Sequence, residues 1–278
     1  MFIFTHYSRL SLIKLSTPYI LFCISTRDII NIKMGDQVTR LVDKAWDKFL
    51  QTPKEKRLLI TIGGIPGSGK TTLSQTITNA LNARHEAAAT DETTALAQII
   101  GPIAAFVPMD GYHLTRAQLS AMPDPVRAHA RRGAEFTFDG AGFLQLVRAL
   151  REPLTAESKP VFAPSFDHAV KDPKADDIAV LPTQRIVVFE GNYVLLDKEP
   201  WRTAAALMDE KWFVDVDVAL ARRRLATRHV AAGIVGDLEE GDRRAMENDL
   251  PNGEEVVALR LDVDEVVVSQ EDGRLLAL

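Results

Sequence analysis

The stretch "GIPGSGKTT" at residues 64–72 decides the fold of this chain. It follows the run "RLLITIG", which is short, apolar and rich in β-branched residues and therefore predicts a buried strand. The segment "KTTLSQTITNALNAR" (70–84) has the spacing of a helix. Between strand and helix the loop matches the pattern G-x-x-x-x-G-K-[ST], through Gly64, Gly69, Lys70 and Thr71.

This loop has the chemistry of a phosphate-binding site. Glycines let the backbone curl so that successive N–H groups point at phosphate oxygens, and the helix that begins there adds its positive end. Lys70 can reach the β- and γ-phosphates, and the Thr71 hydroxyl suits Mg²⁺. A chance match in an ordinary strand–turn–helix is the alternative, but a strand before the loop and a helix after it favour nucleotide binding. The predicted ATP-binding residues of the loop are Gly64, Ile65, Pro66, Gly67, Ser68, Gly69, Lys70, Thr71 and Thr72.

The rest of the chain alternates strands and helices. Further strands are predicted at 104–111, 185–193 and 210–217, and a short extended segment at 159–167. Two β-rich runs within 254–270 supply the last strand, and residues 85–100 form a variable loop or short helix. Helices are predicted at 41–50, 70–84, 114–122, 139–152 and 218–233.

Such alternation predicts an α/β fold with a parallel sheet of about five strands covered by helices. The ligand of such a sheet lies beyond the carboxyl ends of the strands. Gly64, the pair Asp110-Gly111 and the pair Glu190-Gly191 each end a predicted strand, so we expect them to converge on one crevice. A small lid and an acceptor-binding segment complete the predicted architecture.

Composition excludes several classes of function. The net charge of −5 argues against a nucleic-acid partner, which a basic excess would indicate. Cys23 is the only cysteine, so there is neither an internal disulfide nor a thiolate metal site. No apolar run reaches the about 18 residues that a membrane-spanning helix needs. We expect a cytoplasmic protein without a membrane partner, and we leave a homodimer open.

Residues 1–33 differ from the rest, with four basic residues and one acidic residue. A signal peptide fits poorly, because polar residues interrupt the apolar stretch, and a mitochondrial presequence fits the charge bias better. We favour a third interpretation, in which translation starts at Met34. Residues 1–33 are then a poorly ordered leader or a misassigned start, and 34–278 form a single domain.

The motifs outside the loop select among nucleotide-binding proteins. The guanine-reading N-K-x-D of GTPases and the L-S-G-G-Q of transporter ATPases are absent. The chain instead has a long segment at 112–182, which a simple nucleotide switch would not need. A nucleoside triphosphate hydrolase or a nucleotide-binding regulatory protein without an acceptor remains the alternative.

Several further motifs, in order, resemble those of one enzyme family. They are "MDGYH", "RRGAEFTFD", "PSFDH", "VVFEGNY", "FVDVD", and "ND" followed by "NG". The chain resembles the uridine kinase, phosphoribulokinase and bacterial pantothenate kinase group, over roughly residues 40 to 270. It is most similar to fungal relatives and to bacterial fructose transport-system kinases. The resemblance implies an ATP- and Mg²⁺-dependent enzyme that phosphorylates a hydroxyl of a small metabolite such as a sugar, a nucleoside or a pantothenate-like molecule.

The resemblance also implies roles for two strand-end carboxylates. Asp110 falls where the family keeps the carboxylate that faces the acceptor hydroxyl, and its alternative is a solvated Asp-Gly turn. Glu190 follows four apolar residues, and a carboxylate buried there needs a partner. Mg²⁺ beside Thr71 is that partner in our interpretation, and a salt bridge is the alternative.

The acceptor side is predicted from the same motifs. The resemblance implies that Arg132 belongs to its wall and that Asp167 and His168 contact the substrate together with His113. Phe166 replaces the tyrosine of the uridine kinase motif, which argues against uridine as substrate. Both histidines have a purely structural alternative.

On the helix at 218–233, Arg224 and Arg228 lie on one face. Family members use arginines there as a lid over the transferring phosphate, although a solvated basic face is the alternative. Which arginine serves is left open, because the uridine kinase pattern around them is not kept. By resemblance only, Asn248 and Asn252 line the adenine side.

Overall fold

A computed structural model of the chain describes residues 34–90 and 99–271. The α-helices of this part are α1 (Met34–Gln51), α2 (Lys70–Ala89), α3 (Arg116–Ser120), α4 (Pro125–Ala130), α5 (Gly140–Arg151), α6 (Trp201–Ala206), α7 (Val218–Ala231), α8 (Leu238–Arg244) and α9 (Leu250–Ala258). The strands are β1 (Leu58–Gly64), β2 (Ala104–Pro108), β3 (Val161–Asp167), β4 (Asp172–Val180), β5 (Ile186–Gly191), β6 (Glu210–Asp215) and β7 (Glu265–Val268). Short 3₁₀ turns lie at Met109–Tyr112 and Glu135–Thr137, and Ala245–Asp249 is π-helical.

Five strands form one parallel sheet in the order β2-β5-β1-β6-β7. The central strand β1 pairs with β5 on one side and β6 on the other, so Ile62 lies beside both Glu190 and Trp212. The predicted α/β fold with a parallel sheet of about five strands is confirmed.

The sheet is buried on both faces, because β1 alternates its side chains between two hydrophobic clusters. Leu59 packs in the cluster that contains Phe143 and Phe189, while Ile60 packs in the one that contains Trp46. Every residue of β1 is buried. This two-sided burial explains why the sequence of the strand is a nearly continuous apolar run.

Helix α1 covers the edge strand β7. The Gln37 side-chain amide donates to the Val268 carbonyl at 3.1 Å and accepts from the Val268 N–H at 2.9 Å. Nearby, Glu265 of the same strand accepts from Lys44 at 2.8 Å and from Arg40 at 2.7 Å. These contacts fasten the first described helix to the last strand.

Beside the main sheet, β3 and β4 form an antiparallel hairpin. The predicted extended segment at 159–167 corresponds to β3, but β4 was not predicted. Its sequence "DPKADDIAV" is polar, and five of its nine residues are exposed, so the pairing with β3, not a hydrophobic face, determines the strand.

The C-terminal part corrects another prediction. The first of the two β-rich runs, at 254–258, lies in helix α9, and only the second run forms a strand, β7. The buried residues of α9 are Asn252, Gly253 and Val256, which share one helical face, so the packing of that face outweighs the strand preference of the valines in the run. Helices α6 and α8 were not predicted either.

Helix α2 continues to Ala89, five residues past its predicted end. Part of the loop predicted at 85–100 and the leader at 1–33 lie outside the described residues, and the domain boundary at Met34 stays a prediction. Among the described helices, none is long and apolar enough to cross a membrane.

Candidate active site

The loop between β1 and α2 depends on glycines for two separate reasons. Gly67 and Gly69 have φ angles of 80° and 88°, in the left-handed region. A Cβ on Gly67 would also lie 2.6 Å from the backbone carbonyl oxygen of Ala221 in α7. The loop therefore curls as a phosphate cradle requires and packs directly against α7.

Lys70 begins α2 and is almost fully buried. Its Nζ lies 3.8 Å from Oε1 of Glu190 and 3.5 Å from the carbonyl oxygen of Ile65. Burial lowers the pKa of Lys70, while the negative charges of Glu190 and Asp110 oppose that change. The ammonium group is thus held at the loop without a close ion pair.

Glu190 stands near the carboxyl end of β5 and is also buried. Burial raises the pKa of its carboxyl group to about 7, although Lys70 and a hydrogen bond from Thr71 favour the charged form. The predicted salt-bridge alternative is present only as the long contact with Lys70. The carboxylate therefore retains capacity for a further cation.

Glu190 and the Thr71 hydroxyl could hold Mg²⁺. Their oxygens are of the type that this ion prefers, and Mg²⁺ usually takes one or two protein oxygens and completes its shell with phosphate and water. Within residues 34–90 and 99–271, no group of three or more histidine, cysteine or acidic side chains could hold a metal ion. The donor set fits an ion that arrives with a nucleotide.

Asp110 lies where three elements meet but does not end a strand as predicted. Strand β2 ends at Pro108, and Asp110 is an exposed residue of the following 3₁₀ turn. Its charge nevertheless acts on Lys70 and on Glu190. The predicted convergence of the ends of β1, β2 and β5 is therefore present in the structure.

His113 is fixed beside Asp110. Its Nδ1 lies 2.8 Å from the Asp110 carbonyl oxygen, and its ring lies 4.0 Å from that of Phe138 and 4.9 Å from that of Phe166. Burial lowers the pKa of His113, which favours the neutral ring. The ring of His168 lies 5.2 Å from Phe166, so both predicted histidines border one aromatic cluster.

The two other predicted substrate residues have partners within the protein. Arg132 donates to Asp172 at 2.8 Å and to the Lys171 and Leu114 carbonyls. Asp167 accepts from the N–H groups of Ala169 and Val170, and these bonds lower the pKa of its carboxyl group. Asp167 thus shapes the β3–β4 turn, a role that its sequence context did not indicate.

The two candidate lid arginines differ. Arg224 donates to the Gly67 carbonyl at 3.3 Å, to Ser269 Oγ at 2.9 Å and to the Gln270 carbonyl at 2.7 Å. Arg228 is exposed, and its charge acts on Lys70 and on Glu190. Both arginines line a cavity of about 620 Å³ that also includes Gly67, Gly69 and Thr72.

Asn248 and Asn252 both contact the neighbouring arginines Arg131 and Arg132. Asn248 Nδ2 donates to the Arg132 carbonyl at 3.2 Å, and Asn252 Oδ1 accepts from Arg131 at 2.6 Å. Both asparagines therefore contact the acceptor-side segment, and neither is among the residues lining the cavity beside the loop. The π-helical segment and α9 thus bring both side chains to residues 131–132, and their adenine-side role stays a prediction.

Comparison with known proteins agrees with this geometry. Residues 59–232, more than half of the chain, match the family described as Phosphoribulokinase / Uridine kinase family. The chain belongs to that family. It is 58% identical over 159 residues to the ATP-dependent kinase-like protein notR' of Aspergillus versicolor, covering 57% of this chain and 92% of that protein.

Two solved structures are similar along most of the kinase. One, from Silicibacter sp. TM1040, is provisionally assigned as a fructose transport system kinase and has a TM-score of 0.67 and 32% identity, covering 82% of this chain and 98% of that one. The other is YFH7 of Saccharomyces cerevisiae, with a TM-score of 0.72 and 25% identity, covering 84% and 99%. The family resemblance read from the motifs is confirmed, and with it an ATP-dependent P-loop kinase.

Sequence reasoning missed one pair beside the kinase's phosphate loop. His229 Nε2 lies 2.8 Å from Asp249 Oδ2, both side chains are largely buried, and the Asp249 charge acts on Lys70. Asp249 belongs to the motif "ND", but no local pattern shows that it meets α7. The signal is the buried carboxylate itself, which needs a partner.

Proposed function

We propose that this kinase transfers the γ-phosphoryl group of ATP to a hydroxyl of a small metabolite, with Mg²⁺ as the metal. The observation that carries this proposal is the convergence of Lys70, Asp110, Glu190 and Arg228 at the carboxyl ends of the central strands. Phosphoryl transfer depends mainly on positioning and on neutralising charge, and this group of side chains supplies both.

Each part of the loop has a role in this proposal. The N–H groups between Gly64 and Thr72 and the Lys70 ammonium hold the β- and γ-phosphates. Thr71 and Glu190 would hold Mg²⁺, and the bound ion would supply neutralisation of phosphate charge. Because the Lys70 ammonium group lies as far as 3.8 Å from Glu190 Oε1, its charge is available to the phosphates.

Asp110 orients the acceptor hydroxyl and accepts its proton. Its exposure supports this role, because the carboxylate can reach a substrate, and its charge acts on the same groups that hold the phosphates. His113 fixes the carbonyl side of the Asp110 turn. The bond that forms joins the acceptor oxygen to the γ-phosphorus, and the bond that breaks leaves ADP.

Between the two arginines, we assign the lid role to Arg228. Arg224 is engaged by three oxygen acceptors and shapes the nucleoside side of the cavity. Arg228 lines the same cavity and its charge already acts on Lys70 and Glu190. Within residues 34–90 and 99–271, the Arg228 side chain has neither a hydrogen bond nor an ion pair, so it can move toward the charge that develops on the transferring group.

The acceptor belongs to the sugars, nucleosides or pantothenate-like metabolites. Phe166, in place of the tyrosine hydroxyl of the uridine kinase motif, argues against uridine. The similar structure from Silicibacter is named as a fructose transport system kinase. That name favours sugars and their derivatives for the first panel of acceptors.

The test is ATP turnover with and without a panel of hydroxylated metabolites, in wild type and in Asp110→Asn. We expect acceptor-dependent turnover to fall by about 10²–10⁴-fold in the variant, the usual contribution of a general base, while ATP affinity changes little. Asp262→Asn, an exposed residue away from these side chains, is the matched control. If Asp110→Asn lowered hydrolysis without acceptor equally, a hydrolase without an acceptor would replace the kinase proposal for this site.

A further inference from the structure

Three buried polar atoms without hydrogen-bond partners belong to the acceptor-side segment and to the helical segment that contacts it. They are Nε of Arg132, Nε of Arg244 and Oδ1 of Asn248. Asn248 is 7% exposed, and its Nδ2 donates to the Arg132 carbonyl at 3.2 Å, which joins the two residues directly. Leaving a buried polar atom unpaired is costly, so a cluster of such atoms needs an explanation.

Arg244 belongs to this cluster by its place in the helix. The backbone is helical from Arg244 through the π-helical segment that contains Asn248. Residues four apart in a helix are neighbours on one face. Arg244 therefore lies one turn from Asn248, on the face that Asn248 turns toward Arg132.

The positive charge of Arg244 is not compensated. Among the residues that the structure describes, Arg244 has neither a hydrogen bond nor an ion pair, although its side chain is half-buried. The arginines around it are paired: Arg131 with Asn252, Arg132 with Asp172, Arg222 with Asp242 and Arg243 with Glu240. A half-buried guanidinium group without a partner favours an anion at that place.

The place of the cluster points to the acceptor. Asn248 contacts the backbone of Arg132, which belongs to the predicted wall of the acceptor side. The turn at residues 131–133 is fastened close to the end of β5, because the Tyr193 hydroxyl donates to the Gly133 carbonyl at 2.8 Å. An anion held by this cluster would therefore lie beside the acceptor segment.

We propose that Arg244, Arg132 Nε and Asn248 Oδ1 bind an anionic group of the phosphate acceptor together with a neighbouring hydroxyl of it. The two N–H groups donate to the anion, and Asn248 Oδ1 accepts from the hydroxyl. This inference rests on the proposed kinase function and narrows the class of its phosphate acceptor. The acceptor is then a hydroxy acid or a phosphorylated polyol or sugar, and neutral sugars and nucleosides are excluded.

The test uses matched acidic and neutral probes on the full chain. The carboxylate pairs are D-glycerate with glycerol, D-gluconate with D-glucose, and pantothenate with pantothenol; the phosphate pair is D-ribose 5-phosphate with D-ribose. Binding is measured by calorimetry with Mg²⁺ and a non-hydrolysable ATP analogue, and turnover is measured with ATP. We expect at least one acidic probe to bind about 30-fold or more tightly than its neutral partner. A preference within a carboxylate pair would identify the anionic group as a carboxylate. A preference within the phosphate pair would identify it as a phosphate.

The variant Arg244→Met should remove this preference, and Arg243→Met, an exposed arginine of the same helix, should retain it. Arg244→Lys, which keeps the charge and the fold but not the planar fork, should lose part of it. All variants should bind the ATP analogue as wild type does. No acidic preference in wild type, or a preference that survives Arg244→Met unchanged, would overturn the inference. Binding of an acid that depends on Arg244 but without phosphoryl transfer would uphold it and reject the proposed kinase acceptor chemistry instead.

Discussion

Two buried glutamates at opposite ends of the sheet show how differently this fold treats the same side chain. Glu210 begins β6 and accepts from Lys48 at 2.6 Å, Lys44 at 2.9 Å and the Trp212 indole at 2.9 Å. Burial opposes its charge, but these hydrogen bonds prevail and lower the pKa of its carboxyl group. Glu190, near the end of β5, has one cation at 3.8 Å, and burial raises its pKa to about 7.

The difference between the two glutamates shows that the amino end of the sheet contributes to stability and the carboxyl end to function. At the amino end of the sheet both oxygens of the buried Glu210 carboxylate have partners within the protein. At the carboxyl end a carboxylate and an ammonium are buried with poor mutual contact, an arrangement that costs stability unless a ligand completes it. Perturbed groups in such a crevice are typical of functional sites.

The strongest test of this contrast removes a lysine from each end. Lys70→Ala should lower turnover by about 10³-fold or more, because a preorganised charge on the phosphates is lost. The melting temperature should change little, since Glu190 can take up a proton. Lys44→Ala should do the opposite, with normal turnover and lower stability. Steady-state kinetics and thermal unfolding of both variants check this, and a Lys70→Ala enzyme with full turnover would rule out the loop as the active nucleotide site.

The next comparison is between the two arginines of α7. Arg228→Met should lower kcat by about 10²–10³-fold with little change in KM for ATP, because a mobile arginine acts on the transition state. Arg224→Met should mainly raise KM for ATP, because Arg224 holds the cavity wall. The two kinetic constants for each variant decide the assignment, and the reverse pattern would exchange the two roles.

A third test concerns Glu210 and its pH dependence. Glu210→Gln should cost about 3 kcal/mol of unfolding free energy at pH 7, the scale of a broken buried ion pair. The folded pKa of Glu210 lies below its unfolded value, so its contribution is present above the usual value of about 4.3 and is lost as pH falls through the folded pKa. Urea unfolding between pH 3 and pH 7 should show the two proteins converging in acid. A constant difference would contradict the ion-pair explanation.

The smallest expected effect is at Glu190, and its pH dependence has the opposite sign to that of Glu210. Because the folded pKa is raised to about 7, the contribution of Glu190 is present below its unfolded pKa and is lost as pH rises through about 7. Nucleotide-free wild type should therefore lose about 2 kcal/mol relative to Glu190→Gln between pH 5 and pH 7.5. Urea unfolding at these two pH values is the measurement. A relative gain of wild type over that interval would mean that Lys70 pairs with Glu190 more closely than the distance indicates.

Local sequence patterns predicted the parts of the molecule in which one short segment determines both the backbone conformation and the chemistry. The G-x-x-x-x-G-K-[ST] loop needs left-handed glycines, and the apolar strands need two covered faces, so both appear in the sequence. Lys70 and Glu190 could be named for the same reason. The geometry around them follows from the parallel register of β1 and β5.

What the sequence could not predict depends on contacts between distant residues. Strand β4 exists because β3 pairs with it, and Asp167 is used in the turn between them. Asn248 meets Arg132 across 116 residues, and Asp249 meets His229 on another helix. The periodicity of the sequence does not show such pairings. They determine which arginine side chains have partners within the described residues.

The contact of Gln37 with Val268 has a consequence for self-association. Strand β7 is the outermost strand of the sheet on its side, and an open edge offers N–H and C=O groups to any other strand that approaches. The Gln37 amide makes with Val268 the two hydrogen bonds that a neighbouring strand would make, and the lysine and arginine at Glu265 place positive charge along the same edge. One side chain thus takes the place of a strand, and α1 protects the edge against pairing between copies and against aggregation.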